Sequence, residues 1–428
     1  MTTEAVKVID RICGAGKTTW MFSEMNKRYD ERWIYVSPYL SEVGDSDQKG
    51  RIQKELPDLK FQSPDDQFSK VASLDKLLRD GQNVAITHQL YLSMTKSMFE
   101  TIRQQEYNLV VDETLDLISI FNVDKTDIEL LISGNHIKEL DNGLLKWTAG
   151  SNYNGRFKDI KKLCDLEVLH IFRSSHKDNQ DSSDIFMCKL PPRLMTACKQ
   201  KYVLTYMFYG SIMEVWMNLH EIGYEYYNPK GIRPSSEIKK IVRKNLHILK
   251  TPRKIHSLHF NSNGGYKPYT FSKNWFRTNA EAMDTLSTAL DSAVRNYFPR
   301  KKKVYYTTFK DYQDCVTKGS LHKALALFDF EEMDIQAFSD TFVAKNQRAS
   351  NQYSEYNCAV HVCNTYPPTR IESYISHLGH ELDRDAYATS ELVQWIFRGS
   401  IRKNKPMYVL VASIRMKQLL ESWLSRGY

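Results

Sequence analysis

The feature that most constrains the fold is a glycine-rich loop at the N-terminus, between an apolar run and a helical run. The apolar run is Val6 to Asp10, the loop reads Gly14-Ala15-Gly16-Lys17-Thr18-Thr19, and a helical pattern begins at Trp20. Two glycines let the backbone curl so that successive N–H groups point at one anion, next to the positive end of a helix. The sequence therefore predicts a strand, an anion-binding loop and a helix in that order.

This loop has the composition of a nucleotide-binding loop. Lys17 is placed to reach the β and γ phosphates, and the Thr18 hydroxyl to ligate Mg²⁺. Arg11 stands where the standard pattern has its first glycine. A glycine turn that caps an ordinary helix is the alternative, and the strand and helix on either side favour the nucleotide interpretation. ATP and Mg²⁺ are the expected cofactors, and the candidate binding residues are Gly14, Ala15, Gly16, Lys17, Thr18 and Thr19.

An acidic strand end is the second element that such a site needs. Leu109-Val110-Val111-Asp112-Glu113 predicts a buried strand that ends in two carboxylates. Asp112 is expected to hold Mg²⁺, directly or through water, and Glu113 to polarise the attacking water as a general base. A solvated acidic pair at a strand end is the ordinary alternative. The phosphate loop about a hundred residues upstream favours the functional interpretation.

The rest of the chain repeats a strand followed by a helical segment, which indicates an α/β architecture with a largely parallel sheet. With 428 residues, two such domains are expected. The join is predicted between Gly210 and Pro234, which gives domains 1–215 and 216–428. An insertion about 115–185 is expected to be helical at first and then a polar solvent loop at 176–184. The predicted strands are Val6–Asp10, Trp33–Ser37, Asn83–Thr87, Leu109–Asp112, Tyr202–Thr205, Lys303–Thr308, Cys358–Asn364 and Met407–Ala412, with a last helix at Arg415–Arg426.

Composition excludes several classes of protein. No window of 18 consecutive apolar residues occurs, so a transmembrane helix is not expected and neither is a membrane partner. Charged residues lie where a signal peptide needs its apolar core, and the seven cysteines contain no CxxC pair. The expected location is the cytoplasm, that of the host cell if the protein is viral, with reduced thiols.

Positive charge and aromatic rings point to a nucleic-acid partner. The 59 Lys and Arg exceed the 51 Asp and Glu by eight, and the segment Lys230–Lys254 alone has nine basic residues against one Glu. Within it, Lys239, Lys240 and Arg243 are predicted to contact a strand, although a solvated face is the alternative. A cluster of rings is predicted either to stack on bases or, more simply, to pack in a core; it comprises Tyr266, Tyr269, Phe271, Trp275 and Phe276.

Together the motifs resemble those of superfamily 2 nucleic-acid helicases, of the type that bacteriophages encode. The resemblance rests on Gly14-Ala15-Gly16-Lys17-Thr18, on Asp112-Glu113-Thr114-Leu115 and on the C-terminal Gln394-Trp395-Ile396-Phe397-Arg398-Gly399-Ser400-Ile401-Arg402. These follow the family's order and span nearly the whole chain. The resemblance implies a P-loop NTPase with two RecA-like domains in tandem, which clamp ATP while a nucleic-acid strand crosses both.

Shorter segments match the family's strand-contacting loops. The implied nucleic-acid contacts are Ser37 and Pro38 after the second strand, Thr87 and His88 after the third, Thr307 in the second domain, and Arg348 and Asn351 in the segment 345–351. Thr205-Tyr206-Met207 stands where the family carries Ser-Ala-Thr, which couples hydrolysis to strand movement, and it keeps only the leading hydroxyl.

The C-terminal motif predicts three catalytic side chains on one helix face. Gln394, Arg398 and Arg402 are spaced i, i+4 and i+8, so on one helix all three project from the same side. The two arginines are expected to stabilise charge on the γ phosphate, as arginine fingers do, and the spacing does not say which one is the finger. A solvated basic face is the alternative.

The function predicted from these observations is an ATP-dependent DNA helicase or translocase in phage replication, recombination or repair. Its predicted partners are single-stranded or forked DNA and other replication proteins, and no residue distinguishes DNA from RNA. One alternative is a phage DNA-packaging ATPase, whose nuclease domain needs clustered carboxylates at strand ends. The other is a nucleic-acid-binding protein switched by ATP without unwinding activity, which can dispense with Glu113.

Overall fold

The computed structural model describes residues 4–65, 69–174, 183–300, 302–317, 341–344 and 351–425. Its contacts divide the chain into two compact units. The first unit comprises the N-terminus to Arg11, Gly16–Ile232 and Pro368–Asp383; the second comprises Ile12–Ala15, Arg233–Pro367 and Arg384 to the C-terminus. Residues 216–232 and 368–383, predicted to belong to the second domain, therefore lie in the first unit.

The first unit is built on a six-stranded sheet in which every neighbouring pair is parallel. Its strand order is β11-β1-β10-β4-β2-β3. Strands β2, β4 and β10 are buried along their whole length, as expected for parallel strands covered on both faces by helices. The strands are β1 Val6–Asp10, β2 Trp33–Ser37, β3 Val84–Thr87, β4 Asn108–Asp112, β10 Lys201–Thr205 and β11 Tyr224–Tyr226.

The insertion between β4 and β10 contains antiparallel strands, which corrects the prediction of a helical segment followed by a loop. Strands β5, β9 and β8 form one sheet and β6 with β7 a hairpin, and a separate apolar core lies beneath them. The short strands were missed because three to seven residues show too little alternation to register as a period. The elements are β5 Ile118–Phe121, β6 Ile137–Glu139, β7 Leu145–Trp147, β8 Leu169–Ser174 and β9 Ser183–Lys189, with helices Lys125–Ser133 and Lys158–Asp165. The predicted solvent loop lies largely outside the described residues.

The first unit contains further helices outside the insertion. They are Lys17–Lys27, Leu40–Val43, Arg51–Glu55, Lys70–Arg79, His88–Leu92, Lys96–Gln104, Arg193–Thr196, Ile212–Leu219 and Thr369–His377. The last of these comes from far along the chain, yet Ile371, Tyr374 and Ile375 are buried in the first unit's core. The ring of Tyr374 lies 5.4 Å from that of Phe172 on β8, edge to face.

The second unit has a four-stranded parallel sheet of order β12-β15-β14-β13. A long amphipathic helix, Met283–Tyr297, has eight buried residues, and its apolar ones share a core with the strands of this sheet. The strands are β12 Leu246–Ile248, β13 Val304–Thr307, β14 Cys358–His361 and β15 Met407–Val411, and the helices are Ser235–Asn245, Arg253–Ser257, Lys273–Thr278, Met283–Tyr297, Gln313–Thr317, Arg384–Ile396 and Ile414–Ser425.

The predicted fold class is confirmed, since the chain is α/β with parallel sheets in tandem and an insertion in the first domain. In the described part of the chain no helix combines the length and apolarity needed to cross a membrane.

Candidate functional site

The phosphate loop connects β1 to helix Lys17–Lys27 and depends on two glycines. Gly14 has φ +79° and Gly16 has φ +96°, both in the left-handed region that other residues seldom adopt. A Cβ added at either glycine would meet no described atom within 4 Å, so the space beside the loop is open. No described side chain caps the first turn of this helix. Open space in front of helix N-terminal amides is the arrangement that binds anions.

Lys17 lies along the inside of the loop. Its side chain is buried, and Nζ donates a hydrogen bond of 2.6 Å to the Arg11 carbonyl oxygen at the start of the loop. A buried ammonium group is costly unless it has partners. The Arg11 carbonyl oxygen is such a partner and stabilises the charge of Lys17 next to the open space. A phosphate oxygen in that space can accept hydrogen bonds from the other N–H groups of the ammonium.

Asp112 ends strand β4 at the same edge of the sheet as the phosphate loop. Strand β10 pairs with both β1 and β4, so the two elements lie about 10 Å apart at neighbouring carboxyl ends. Burial and the nearby Glu113 charge raise the pKa of Asp112 to about 7. The Tyr35 hydroxyl donates to Asp112 Oδ2 at 2.9 Å. A buried carboxylate with one fixed donor fits a divalent cation, which would replace the missing solvation.

Glu113 is the next residue and has an unusual backbone. Its φ is +67°, and its N–H donates to the Leu204 carbonyl at 2.8 Å. A left-handed glutamate costs about 1–3 kcal/mol and is concentrated at functional sites. The side chain is half-buried, which suits a base that must meet water.

Asp10 is a residue of this site that sequence analysis missed. Its two carboxylate oxygens accept hydrogen bonds from the backbone N–H groups of Met207 at 2.8 Å and Phe208 at 2.9 Å. Burial is the main cause of its raised pKa. This carboxylate binds the base of the phosphate loop to the segment after β10, which contains Thr205-Tyr206-Met207. The signal in the sequence is an acidic residue at a strand end directly before the loop.

Arg51 was also missed, because it lies in a separate short helix with no motif of its own. Nη2 of Arg51 donates to Thr19 Oγ1 at 3.1 Å, and the guanidinium forms ion pairs with Glu42 and Glu55. The same group lies 5.3 Å from the Phe22 ring centroid. Thr19, a predicted nucleotide contact, is therefore exposed, and its hydroxyl accepts a hydrogen bond from Arg51.

Several predicted nucleic-acid contacts lie in the interior. Ser37 and Thr307 are fully buried, and His88 is 8% exposed with Nε2 2.9 Å from the Asp112 carbonyl oxygen. The Thr87 hydroxyl accepts from the Leu90 N–H and caps helix His88–Leu92. Ser37, Thr87 and Thr307 are the last residues of β2, β3 and β13, so their burial or capping follows from their place at the end of a strand. Pro38 is half-buried.

The loop predicted at 345–351 lies largely beyond the described residues. Arg348 is outside them, and Asn351 is described only as the first backbone position of the 3-10 helix Asn351–Tyr353.

The C-terminal motif does not form one continuous helix, so the prediction of a shared face is wrong. The helix ends at Ile396, and Arg402 lies in a 3-10 helix, Ser400–Lys403. Gly399 lies between the two, and an added Cβ there would lie 2.7 Å from the Met407 side chain. Arg398 is 3% exposed and donates to the Ala344 carbonyl at 2.8 Å. Gln394 donates to Ser390 Oγ at 3.0 Å, and Arg402 is half-buried.

The basic helix Ser235–Asn245 uses part of its charge within the fold. Lys239 is 2% exposed and Nζ donates to the Trp423 carbonyl at 3.1 Å, while Arg243 Nε donates to the Leu424 carbonyl at 2.6 Å. Both groups stabilise the negative end of the last helix. Burial lowers the pKa of Lys239 to about 8. The prediction that Lys239 lies on the surface is therefore wrong, whereas Lys240 is exposed.

Comparisons with known proteins agree with this architecture. A family model described as the YonV C-terminal Rossmann-like domain matches residues 243–424, and one described as the YonV middle domain matches residues 118–176. The SPbeta prophage-derived uncharacterized protein YonV of Bacillus subtilis (strain 168) is 29% identical over 446 residues, which cover 98% of this chain and 99% of that protein.

Among solved structures, Xpd4 of S. tokodaii has a TM-score of 0.52 at 11% sequence identity, covering 99% of this chain and 94% of its own. The fold is that of tandem RecA-like domains. A structure described as an XPD helicase has a TM-score of 0.41 at 12% identity, covering 100% of this chain and 91% of its own. The residues that match the YonV middle domain, 118–176, lie in the insertion with antiparallel strands. The insertion is therefore similar to a domain that has its own family model.

Proposed function

We propose that the protein is an ATP-dependent DNA helicase or translocase of superfamily 2, encoded by a bacteriophage or prophage. The observation that carries the proposal is the placement of an open phosphate loop and of Asp112 and Glu113 at one carboxyl edge of a parallel sheet. In open α/β sheets this edge is where nucleotides bind. The tandem RecA-like fold and the prophage-derived relative support the same conclusion.

The residues present fit ATP with Mg²⁺. The amides of Gly14 to Thr18 and the Lys17 ammonium would hold the phosphates, while the Thr18 hydroxyl and Asp112 would hold the cation. When bound, Mg²⁺ supplies neutralisation of phosphate charge. Glu113 would orient a water molecule and accept its proton. Asp10 keeps the base of the loop fixed to the segment after β10, so that Lys17 keeps its position.

The nucleic-acid partner is proposed from charge rather than from the interior residues above. Single-stranded or forked DNA suits the exposed basic groups of the second unit, such as Lys240, because phosphates dominate nucleic-acid affinity. RNA presents the same phosphates, and replication proteins are proposed as further partners.

The alternative functions fit fewer observations. A packaging ATPase needs a nuclease domain with carboxylates at its strand ends, whereas the later strands lead into Thr308, Asn364 and Ser413. An ATP-controlled switch without hydrolysis does not need Glu113, whose strained backbone is retained beside Asp112.

The first prediction concerns hydrolysis. ATPase activity of the full chain should rise several-fold with single-stranded DNA and disappear in Lys17→Ala and Glu113→Gln, because the first loses the phosphate contact and the second the base. Phosphate release is measured with and without single-stranded, duplex and forked DNA and with RNA. Glu106→Gln, an exposed glutamate of the same unit, is the matched control and should leave the rate unchanged. A rate that no polynucleotide changes would rule out a motor.

A further inference from the structure

The loop between helices Arg253–Ser257 and Lys273–Thr278 crosses the carboxyl edge of the second unit's sheet. The Asn364 side chain, just after β14, donates to the Pro268 carbonyl at 2.9 Å and the Thr270 carbonyl at 3.2 Å. On the other side, His259 Nε2 lies 3.0 Å from the Ala412 carbonyl oxygen and 3.2 Å from the Ile414 backbone nitrogen, just after β15. The loop is therefore fixed at both ends to the edge where α/β sheets bind ligands.

The rings of this region divide into a buried and an exposed set. Phe271, Trp275 and Phe276 are buried and belong to the apolar core, as packing predicts. Tyr269 is 60% exposed and Tyr266 is 48% exposed. Both of these rings therefore present surface to solvent on a loop that is anchored at the carboxyl edge of the sheet.

Tyr269 packs against the ring of Tyr366, their planes tilted by 49°, and a cation lies beside that second ring. Its ring centroid lies 5.6 Å from that of Tyr366, and the Arg415 guanidinium carbon lies 4.2 Å from the Tyr366 centroid. Arg415 is itself fixed, since it donates to the Thr365 carbonyl at 2.8 Å and pairs with Asp385 at 2.7 Å. Tyr366 and Arg415 therefore support Tyr269 from one side, and the Tyr269 ring remains exposed to meet a ligand.

The surrounding sequence has one sign of charge. Residues 238–280 contain ten Lys and Arg and no Asp or Glu. Lys239 and Arg243 hold the last helix, and Lys273 pairs with Asp311. Several of the others are exposed, among them Lys250, Arg253, Lys254 and Arg277. A surface with flat rings and unopposed positive charge is complementary to a strand with unpaired bases and phosphates.

We propose that Tyr269, supported by Tyr366 and Arg415 and flanked by Tyr266, is a stacking platform for an unpaired base of a single-stranded nucleic acid. The proposal deepens the proposed function, because it names the place where the second unit holds its strand. Duplex bases present no free ring face, so the platform selects single strands. Stacking is tolerant of base identity, so little sequence preference is expected.

The test is binding of fluorescein-labelled twelve-nucleotide dT and rU strands and of a hairpin duplex to the full chain without nucleotide. Tyr269→Ala should weaken single-strand binding about tenfold, since stacking on one ring contributes about that much. Tyr269→Trp should keep or strengthen it. The control is Tyr297→Ala, which removes the same kind of side chain from a helix of the same unit, where Tyr297 is 44% exposed. This variant should leave the affinity unchanged.

A photo-crosslink from a 5-iodouracil strand is then located by mass spectrometry. Attachment at Tyr269 or Tyr266 supports the platform, and attachment elsewhere with an unchanged affinity of Tyr269→Ala overturns it. Tighter binding of duplex than of either single strand also overturns it. The proposed motor is judged separately through ATPase stimulation. An unchanged DNA concentration for half-maximal stimulation in Tyr269→Ala refutes the platform alone, whereas binding at Tyr269 without any hydrolysis refutes the motor alone.

Discussion

At the scale of single residues, Arg398 and Arg402 have different surroundings although both belong to the predicted finger motif. Arg398 is buried and donates to the Ala344 carbonyl, whereas Arg402 is half-buried in a 3-10 helix after Gly399. A buried guanidinium with a backbone acceptor stabilises its own unit. These contacts favour Arg402 as the arginine that acts in hydrolysis.

We therefore expect the two alanine variants to differ in kind. Arg398→Ala should lower the free energy of unfolding by about 2 kcal/mol, because it leaves a buried carbonyl and a cavity. Arg402→Ala should keep the melting temperature and reduce kcat at least tenfold with little change in nucleotide affinity. Thermal melts, steady-state ATPase rates and binding of a fluorescent nucleotide measure these effects. A stable Arg398→Ala with lost turnover would reverse the assignment.

Residues of the phosphate loop could be recognised from sequence because their chemistry is local. Gly14, Gly16 and Lys17 are neighbours whose spacing alone determines a backbone conformation. The position of Asp10 at a strand end could be noticed, but its role and that of Tyr35 could not, since each acts through a partner far along the chain, Met207 for the first and Asp112 for the second. Nothing in a local pattern reports such a contact.

At the scale of elements, apolar runs gave eight of the ten strands described in the two parallel sheets to within three residues, because a strand buried on both faces is apolar throughout. The edge strands β11 and β12 were not predicted, because each is three residues long and only partly buried. The helix that contains Gln394 was predicted to continue too far along the chain. It ends at Ile396, before both Arg398 and Arg402, and the i, i+4 spacing of these two arginines does not contain that information. In the insertion, strands such as β6 and β7 are only three residues long.

Helix Thr369–His377 shows a different limit. Its apolar stripe indicates that one face is buried, but it does not indicate which core receives that face. The sequence position suggested the second domain, whereas Ile371, Tyr374 and Ile375 lie in the core of the first unit. Which core a helix packs against depends on the shapes of the helix face and of that core, and the spacing of apolar residues does not describe either shape.

This helix gives a prediction about local stability. Ile375→Ala should destabilise the first unit by about 2–4 kcal/mol, because a fully buried side chain leaves a cavity. Hydrogen exchange should then accelerate in β5 and β8, which contact this helix, and stay unchanged in β13 to β15. Ser376→Ala, at the exposed neighbouring position, is the control. Faster exchange in β13 to β15 alone would contradict the assignment of the helix.

At the scale of the whole molecule, each unit buries a histidine that resists protonation. Burial lowers the pKa of His170 to about 4, with Lys189 contributing, and burial lowers that of His259 to about 4 as well. The unfolded value is about 6.5. A folded-state pKa below the unfolded one gives stability that is complete above pH 6.5 and is lost as the pH falls toward 4.

The molecule should therefore become less resistant to urea between pH 7.5 and pH 5.0. His170→Asn keeps a donor near Nδ1, which lies 3.1 Å from the Val168 carbonyl oxygen, and cannot be protonated in this range. Its unfolding midpoint should fall less than that of the unaltered protein across the same two pH values. An identical fall in both would show that His170 does not contribute to acid sensitivity.

The return of the chain to the first unit at Pro368–Asp383 has a consequence for any attempt to take the protein apart. A single cleavage near residue 232 produces two fragments. The C-terminal fragment still contains the helix Thr369–His377, which completes the core of the N-terminal fragment. Neither half is a complete folding unit, and the cut pieces should remain associated until that helix is unfolded. Separating the two units without denaturation requires further cleavages, on either side of residues 368–383.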